Sequence, residues 1–225
     1  MEKEEIKSRI DEIIERTFKT LKFVYDNQQE NQKDKNQVSS HLCQENGNPE
    51  SRLIFPKYSE KYRGGETRLS EQELRFLFVE QFNKYCSEKY CSENKPKWYY
   101  SVETPTEFKY QFSDQGNKIE AQKSENGQSA MVDMSILEKK ENGFERIALI
   151  EFKALNPDAS CFEKDFVKLD GEPVELTYFI MYVKSHDKGT IKSLKLKIEK
   201  KSSNTEFRCY DLESGQQIEQ EILEK

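Results

Sequence analysis

Residues 129–154 read SAMVDMSILEKKENGFERIALIEFKA. Two apolar runs, 130–137 and 147–154, flank Glu141, Asn142 and Gly143. Short apolar runs bounded by turn residues predict strands, so this stretch predicts an antiparallel hairpin. Three-residue hairpin loops commonly end on Gly in the left-handed region, which would pair Lys140 with Phe144. In that register Asp133 falls opposite Glu151. Directly opposed side chains leave the sheet on one face with Cβ atoms about 4.5–5.5 Å apart. Two carboxylates that close repel unless positive charge lies between them. A divalent cation with oxygen ligands, Mg2+ or Mn2+, is the natural occupant. Lys153 is two residues beyond Glu151 and shares its face.

The Glu-x-Lys spacing carries no information by itself. It recurs at Glu5/Lys7, Glu93/Lys95, Glu107/Lys109, Glu138/Lys140 and Glu199/Lys201. Context singles out Glu151 and Lys153, which interrupt Ile147-Ala148-Leu149-Ile150 and Phe152. Asp133 likewise interrupts Val132 and Met134. Charges in buried strands are costly unless paired or metal-bound. The competing reading is a buried salt bridge from Lys153 to Asp133 or Glu151, which an excess carboxylate makes a poor stabiliser.

Working outward, Ser70 and Glu73 form a capping box ahead of an apolar stripe at Leu74, Leu77, Phe78, Phe82 and Tyr85. That predicts a helix ending near residues 85–89. Residues 98–103 and 108–112 read as two strands separated by Pro105, and 113–128 as a loop. Residues 160–169 read as a short helix and 176–183 (LTYFIMYV) as a buried strand. Leu194, Leu196 and Ile198 alternate with lysines, which predicts a half-exposed strand, and 206–212 an edge strand. Upstream, residues 1–25 form an amphipathic helix with Ile6, Ile10, Ile13, Ile14, Phe18 and Leu21 at helical spacing. It either packs on the main domain or recruits a partner, a second copy included. Residues 26–52 form a polar linker or loop, and 53–225 the main domain. The order predicts an α/β fold, a mixed central sheet flanked by helices.

The net charge of −6 argues against gripping nucleic acid by charge alone, but not against a metal-assisted enzyme. No apolar run is long enough for a membrane span and the first residues lack a signal-peptide core, so a cytoplasmic protein is expected. The five cysteines lack zinc-site spacing and are expected to be free thiols.

The succession from residue 69 to 183 is a helix with Glu, a strand, Asp133, Glu151-Phe152-Lys153, a helix and a strand. It resembles the PD-(D/E)xK nuclease superfamily, with Val132 standing where the name calls for Pro. The resemblance implies a restriction endonuclease-like core behind an N-terminal helical extension. It implies hydrolysis of phosphodiester bonds in nucleic acid, DNA rather than RNA, with Mg2+ as cofactor and Mn2+ as substitute. Asp133 and Glu151 would bind the metal, the Phe152 carbonyl completing the shell, and Lys153 would orient the attacking water. Glu73 matches the family's helical acidic residue, with Glu71 and Glu80 as rivals and a plain capping role as the alternative. Lys164 and Lys168 would touch phosphate or simply face solvent. Lys195 and Lys197 would contact the backbone or blunt an edge strand. Defence, repair or a mobile element follow by analogy. The alternative is a catalytically silent nuclease fold that acts through a partner.

Overall fold

The first helix, α1 (Lys3–Lys33), is longer than its apolar stripe. Ile10, Ile13 and Leu21 are fully buried, and Phe18 nearly so. This face packs against α3 (Glu71–Tyr90) and one face of the sheet, so the stripe is spent on the chain's own core. Residues 26–33 were expected in the linker; they continue the helix because nothing there breaks one, neither Gly nor Pro. Of the rest of that linker, which was expected to run to residue 52, residues 34–50 lie outside the described residues. The computed structural model describes residues 3–33, 51–90, 97–115, 118–123, 125–199 and 204–223.

The strands are β1 (Trp98–Gln115), β2 (Lys118–Lys123), β3 (Gln128–Lys140), β4 (Gly143–Ala154), β5 (Thr177–Val183), β6 (Thr205–Asp211) and β7 (Gln216–Gln217). They form one sheet in the order β2-β1-β3-β4-β5-β6-β7. Pairing is antiparallel up to β4, parallel from β4 through β5 to β6, and antiparallel again at β7. The sheet is therefore mixed, as expected. The parallel crossovers are made by α4 (Ala159–Gly171) and α5 (Lys188–Ile198). A four-residue α2 (Glu60–Arg63) stops at Gly64, whose φ of 57° suits glycine. A short α6 (Glu219–Leu223) follows β7.

Two apolar clusters cover the two faces. One joins α1 and α3 to Met134, Ile136, Ala148, Ile150, Phe152 and Tyr182. The other joins α4, α5 and α6 to Leu149, Phe179, Met181 and Phe207. Phe162 and Phe166 of α4 lie on Phe179 with ring centroids 5.0 and 4.8 Å away. On β6, Tyr210 stacks on Phe18 of α1 at 4.8 Å, and Arg208 donates to Asp11 at 2.9 Å. Lys7 pairs with Glu206 beside them. We expect Ile10→Ala to cost about 2–5 kcal/mol in chemical denaturation. A loss well below 1 kcal/mol would mean that α1 is only loosely docked.

Several local expectations are corrected. The two strands expected around Pro105 are one strand, with a register shift between Pro105 and Lys109. Proline is tolerated at such a bulge because its missing N–H is not needed there. The expected loop at 113–128 holds the end of β1 and all of β2; an edge strand needs no second buried face, so its polar sequence hid it. The strand expected at 194–198 is the end of α5. Ile191, Leu194 and Ile198 supply a helical stripe, and Asp187 caps the helix by accepting from the Thr190 N–H at 2.6 Å. Leu196, the residue that suggested alternation, is exposed.

The described cysteines Cys86, Cys161 and Cys209 are free thiols, as expected. Cys43 and Cys91 fall outside the described residues. No helix among the described residues is long and apolar enough to cross a membrane.

Candidate active site

The hairpin register decides what meets Glu151. The turn is a two-residue one, pairing Lys140 with Gly143, so the ladder starts one residue away from the expected register. A bulge between Ile136 and Leu137 then absorbs Ile147, and Met134 pairs with Ile150 as expected. The two deviations cancel before the site. Beyond Met134 the ladder stops, and Asp133 Oδ2 accepts the Phe152 backbone N–H at 2.8 Å.

Asp133 Oδ1 accepts from Arg75 Nη2 at 2.6 Å. The other arm of that guanidinium reaches Glu103 at 2.5 Å. Glu103 lies between Val102 and Thr104, whose partners Met134 and Val132 flank Asp133, and has φ 46°. A left-handed non-glycine residue inside a strand costs about 1–3 kcal/mol and persists only where its surroundings hold it. Here the Arg75 pair does so.

Glu151 is only 1% exposed. Its carboxylate pairs with Lys168 Nζ, which also donates to the Met131 carbonyl at 2.9 Å. Asp165 bridges two lysines, with Lys168 and Lys153 each at 2.8 Å. Lys153 also lies 3.7 Å from Glu71. The competing salt bridge from Lys153 to Asp133 or Glu151 is thus not the pairing formed. Ion pairs thus link Glu71, Lys153, Asp165, Lys168 and Glu151 in one chain, and Glu103, Arg75 and Asp133 form a second beside it.

With every group charged, the carboxylates of Glu71, Glu103, Asp133, Glu151 and Asp165 outnumber the cations Arg75, Lys153 and Lys168 by two. Burial, followed by the charges of Asp165 and Asp133, holds the Glu151 carboxyl well above its ordinary range. Burial and the same two neighbours also raise Glu71. Burial pulls Lys153 and Lys168 down, but the surrounding carboxylates outweigh it and both sit above their ordinary value. Both lysines therefore stay charged and Glu151 holds a proton the more readily.

Oxygen-only donors with excess negative charge suit a hard divalent cation. The oxygens are nonetheless engaged, by Arg75 on Asp133 and by Lys168 on Glu151. Among the described residues no group of three His, Cys, Asp or Glu side chains is spaced to hold an ion. Metal binding therefore requires Arg75 or Lys168 to let go.

Glu73 is placed elsewhere. Its carboxylate takes the backbone N–H of Ser70 at 2.9 Å and the Ser70 hydroxyl at 2.5 Å, the capping-box role. Glu80 is held by Ser51 at 2.8 Å and Lys84 at 2.9 Å. Glu71 is the helical acid that reaches the cluster. Phe152 is fully buried, its ring 5.5 Å from Phe78. Lys168, weighed as a solvent-facing helix residue, lies on the buried face of α4, whereas Lys164 is half-buried on the same helix. Lys195 and Lys197 lie on α5, not on a strand. Lys197 Nζ ties down the loop after β4 through Asn156 Oδ1 and the Pro157 carbonyl, each at 2.5 Å.

Arg75 and Asp165 were not singled out from the sequence, though a signal existed. Glu71 and Arg75 continue the helical line of Phe78 and Phe82, and Asp165 sits inside the stripe of Phe162, Phe166 and Leu169. Charged residues in an apolar helix stripe are the ones to test.

Compared with protein-family models, with curated proteins and with solved structures, the chain matches none.

Proposed function

We propose that this chain is a metal-dependent nuclease with a restriction endonuclease-like core, hydrolysing phosphodiester bonds in nucleic acid, DNA in preference to RNA. The observation that carries the reading is the buried excess of carboxylate around Glu151, at the carboxyl end of a parallel strand. Open α/β sheets bind ligands outside the carboxyl ends of their strands. The succession α3, β1, β3, β4, α4, β5 supports the same reading, since it follows the order of elements in the PD-(D/E)xK superfamily.

In this reading Asp133, Glu151 and the Phe152 carbonyl hold Mg2+ or Mn2+. Such a cation supplies Lewis-acid stabilisation of the phosphate and a more acidic water. Lys153, fixed by Asp165, holds the attacking water and offsets charge on the scissile phosphate. Arg75, once released from Asp133 and Glu103, meets a phosphate oxygen with its fork of donors. The protein acts in the cytoplasm, in defence, repair or a mobile element.

A second reading has one observation in its favour. Arg75 and Lys168 already neutralise the two metal-binding carboxylates, which suits a catalytically silent fold that binds nucleic acid or a partner. Cleavage of supercoiled plasmid, linear duplex, single-stranded DNA and RNA, with Mg2+ or Mn2+, separates the two. The nuclease reading expects metal-dependent cutting that is lost in both Asp133→Ala and Lys153→Ala. Cutting that survives in both variants, or no cutting of any substrate, would remove it.

A further inference from the structure

The parallel strands β4, β5 and β6 end at the same edge of the sheet. Glu151 and Lys153 lie at the end of β4. Beyond the ends of β5 and β6 is a second feature, a cleft of about 330 Å3 lined by His186, Lys188, Ile191, Lys192, Lys195 and Glu221. The chain as a whole is acidic, at −6, yet this lining sets three lysines and a histidine against one carboxylate. Lys188, Lys192 and Lys195 recur at helical spacing, so α5 turns a single face to the cleft.

The histidine is held in place. Its backbone N–H donates to Asp211 Oδ2 at 2.9 Å, and its ring Nδ1 pairs with the same oxygen. Asp211 is 1% exposed and takes the Ser214 N–H at 3.0 Å through its other oxygen. A buried carboxylate with three donors cannot turn, and so it fixes the ring. Nδ1 carries the proton shared with Asp211, and Nε2 is the ring atom left for another partner. The hydrogen bond to Asp211 also raises the His186 pKa, so the imidazolium persists closer to neutral pH.

We propose that this cleft is a phosphate-binding site. His186 Nε2–H and the ammonium groups of Lys188 and Lys192 supply charged donors to one cleft, the arrangement that suits a tetrahedral dianion or a phosphodiester. The site stands without the nuclease reading. If that reading holds as well, the phosphate belongs to a strand that runs along the carboxyl edge from β4 towards β6.

The test follows the His186 imidazole resonances of the full chain, with the other histidine, His41, as internal control. Buffer is of low ionic strength and contains a chelator, so that no metal and no cleavage are involved. Three ligands are titrated separately: inorganic phosphate, a nucleoside 5′-monophosphate and a single-stranded oligonucleotide. The expected result is a saturable shift of His186 alone, with affinity at least about tenfold weaker in the double variant Lys188→Glu, Lys192→Glu. A shift with all three ligands identifies the phosphate group itself as the ligand. A shift with the oligonucleotide alone identifies the backbone phosphate of a strand. No saturable shift with any of the three, or equal affinity in the double variant, overturns the proposal. Both substituted lysines are exposed, so folding of the variant is not at risk. A negative result here leaves the cleavage assay untouched, and the reverse holds too.

Discussion

Glu151→Gln is expected to lower metal-dependent cleavage by about three orders of magnitude or more and to leave the folded chain at least as stable. The first effect follows from losing a carboxylate that would hold the cation, whose electrostatic help to the transition state is worth several kcal/mol. The second follows from the charge balance. Gln keeps the volume of a side chain that is 1% exposed, while the excess negative charge is reduced. Lys168 keeps two of its partners, Asp165 and the Met131 carbonyl. Single-turnover cleavage and thermal melting on one preparation measure both. A variant that melts far below the parent without metal would show that Glu151 serves stability as one half of a salt bridge, as the silent-fold reading requires.

The stability of the chain should fall as pH rises above the ordinary carboxylate range, and Glu151→Gln should flatten that fall. A carboxyl whose folded pKa is raised binds its proton more tightly in the folded state. Below the unfolded value, near 4.5, both states are protonated and nothing is contributed. Between the unfolded and folded values the folded state holds the extra proton, and stability declines with pH by up to about 1.4 kcal/mol per unit for one such group. Glu71 is raised as well and adds in the same direction. His186, also raised, loses its contribution as pH climbs through its folded value; subtracting the variant's profile from the parent's removes it. Glu206 and Asp211 are lowered, so their effect appears only on acidification below the carboxylate range, outside this window. Added Mg2+ should take the place of the proton on Glu151. Millimolar Mg2+ is therefore expected to raise the melting temperature of the parent at pH 8 more than at pH 5.5, and to do little for the variant. Equal pH profiles for parent and variant would contradict the charge balance drawn for this cluster.

Much of this was legible in the residues themselves. The pairing of Met134 with Ile150 follows from two apolar runs around Glu141, Asn142 and Gly143, even though the turn is shorter than expected and a bulge at Ile147 corrects it. Such a bulge leaves no mark on an alternating pattern, because one extra residue shifts the faces only locally. Residues 194–198 misled because two lysines between three apolar residues satisfy a period of two, while Ile191, Leu194 and Ile198 satisfy a longer period equally well. Glu73 drew attention through the capping box, and the box proved to be its role. Glu71 sat in the first turn of the same helix, two residues earlier and on the side that faces Lys153. Arg75 and Asp165 were hidden by the assumption that charges on helices face water. What could not be read was the partnering itself, since Lys168 with Glu151 and Arg75 with Asp133 depend on the depth at which two helices cross a sheet.

The long first helix has a consequence for how the chain is made. Part of its apolar stripe rests on α3, which follows within ninety residues, but Tyr210, Arg208 and Glu206 contact it from nearly two hundred residues away. At about 5–20 residues per second of synthesis, the ribosome needs on the order of 10–40 seconds to deliver those partners. During that interval Phe18, Asp11 and Lys7 belong to a nascent chain whose docking surface is incomplete. The first helix therefore reaches its final packing only when β6 joins the sheet.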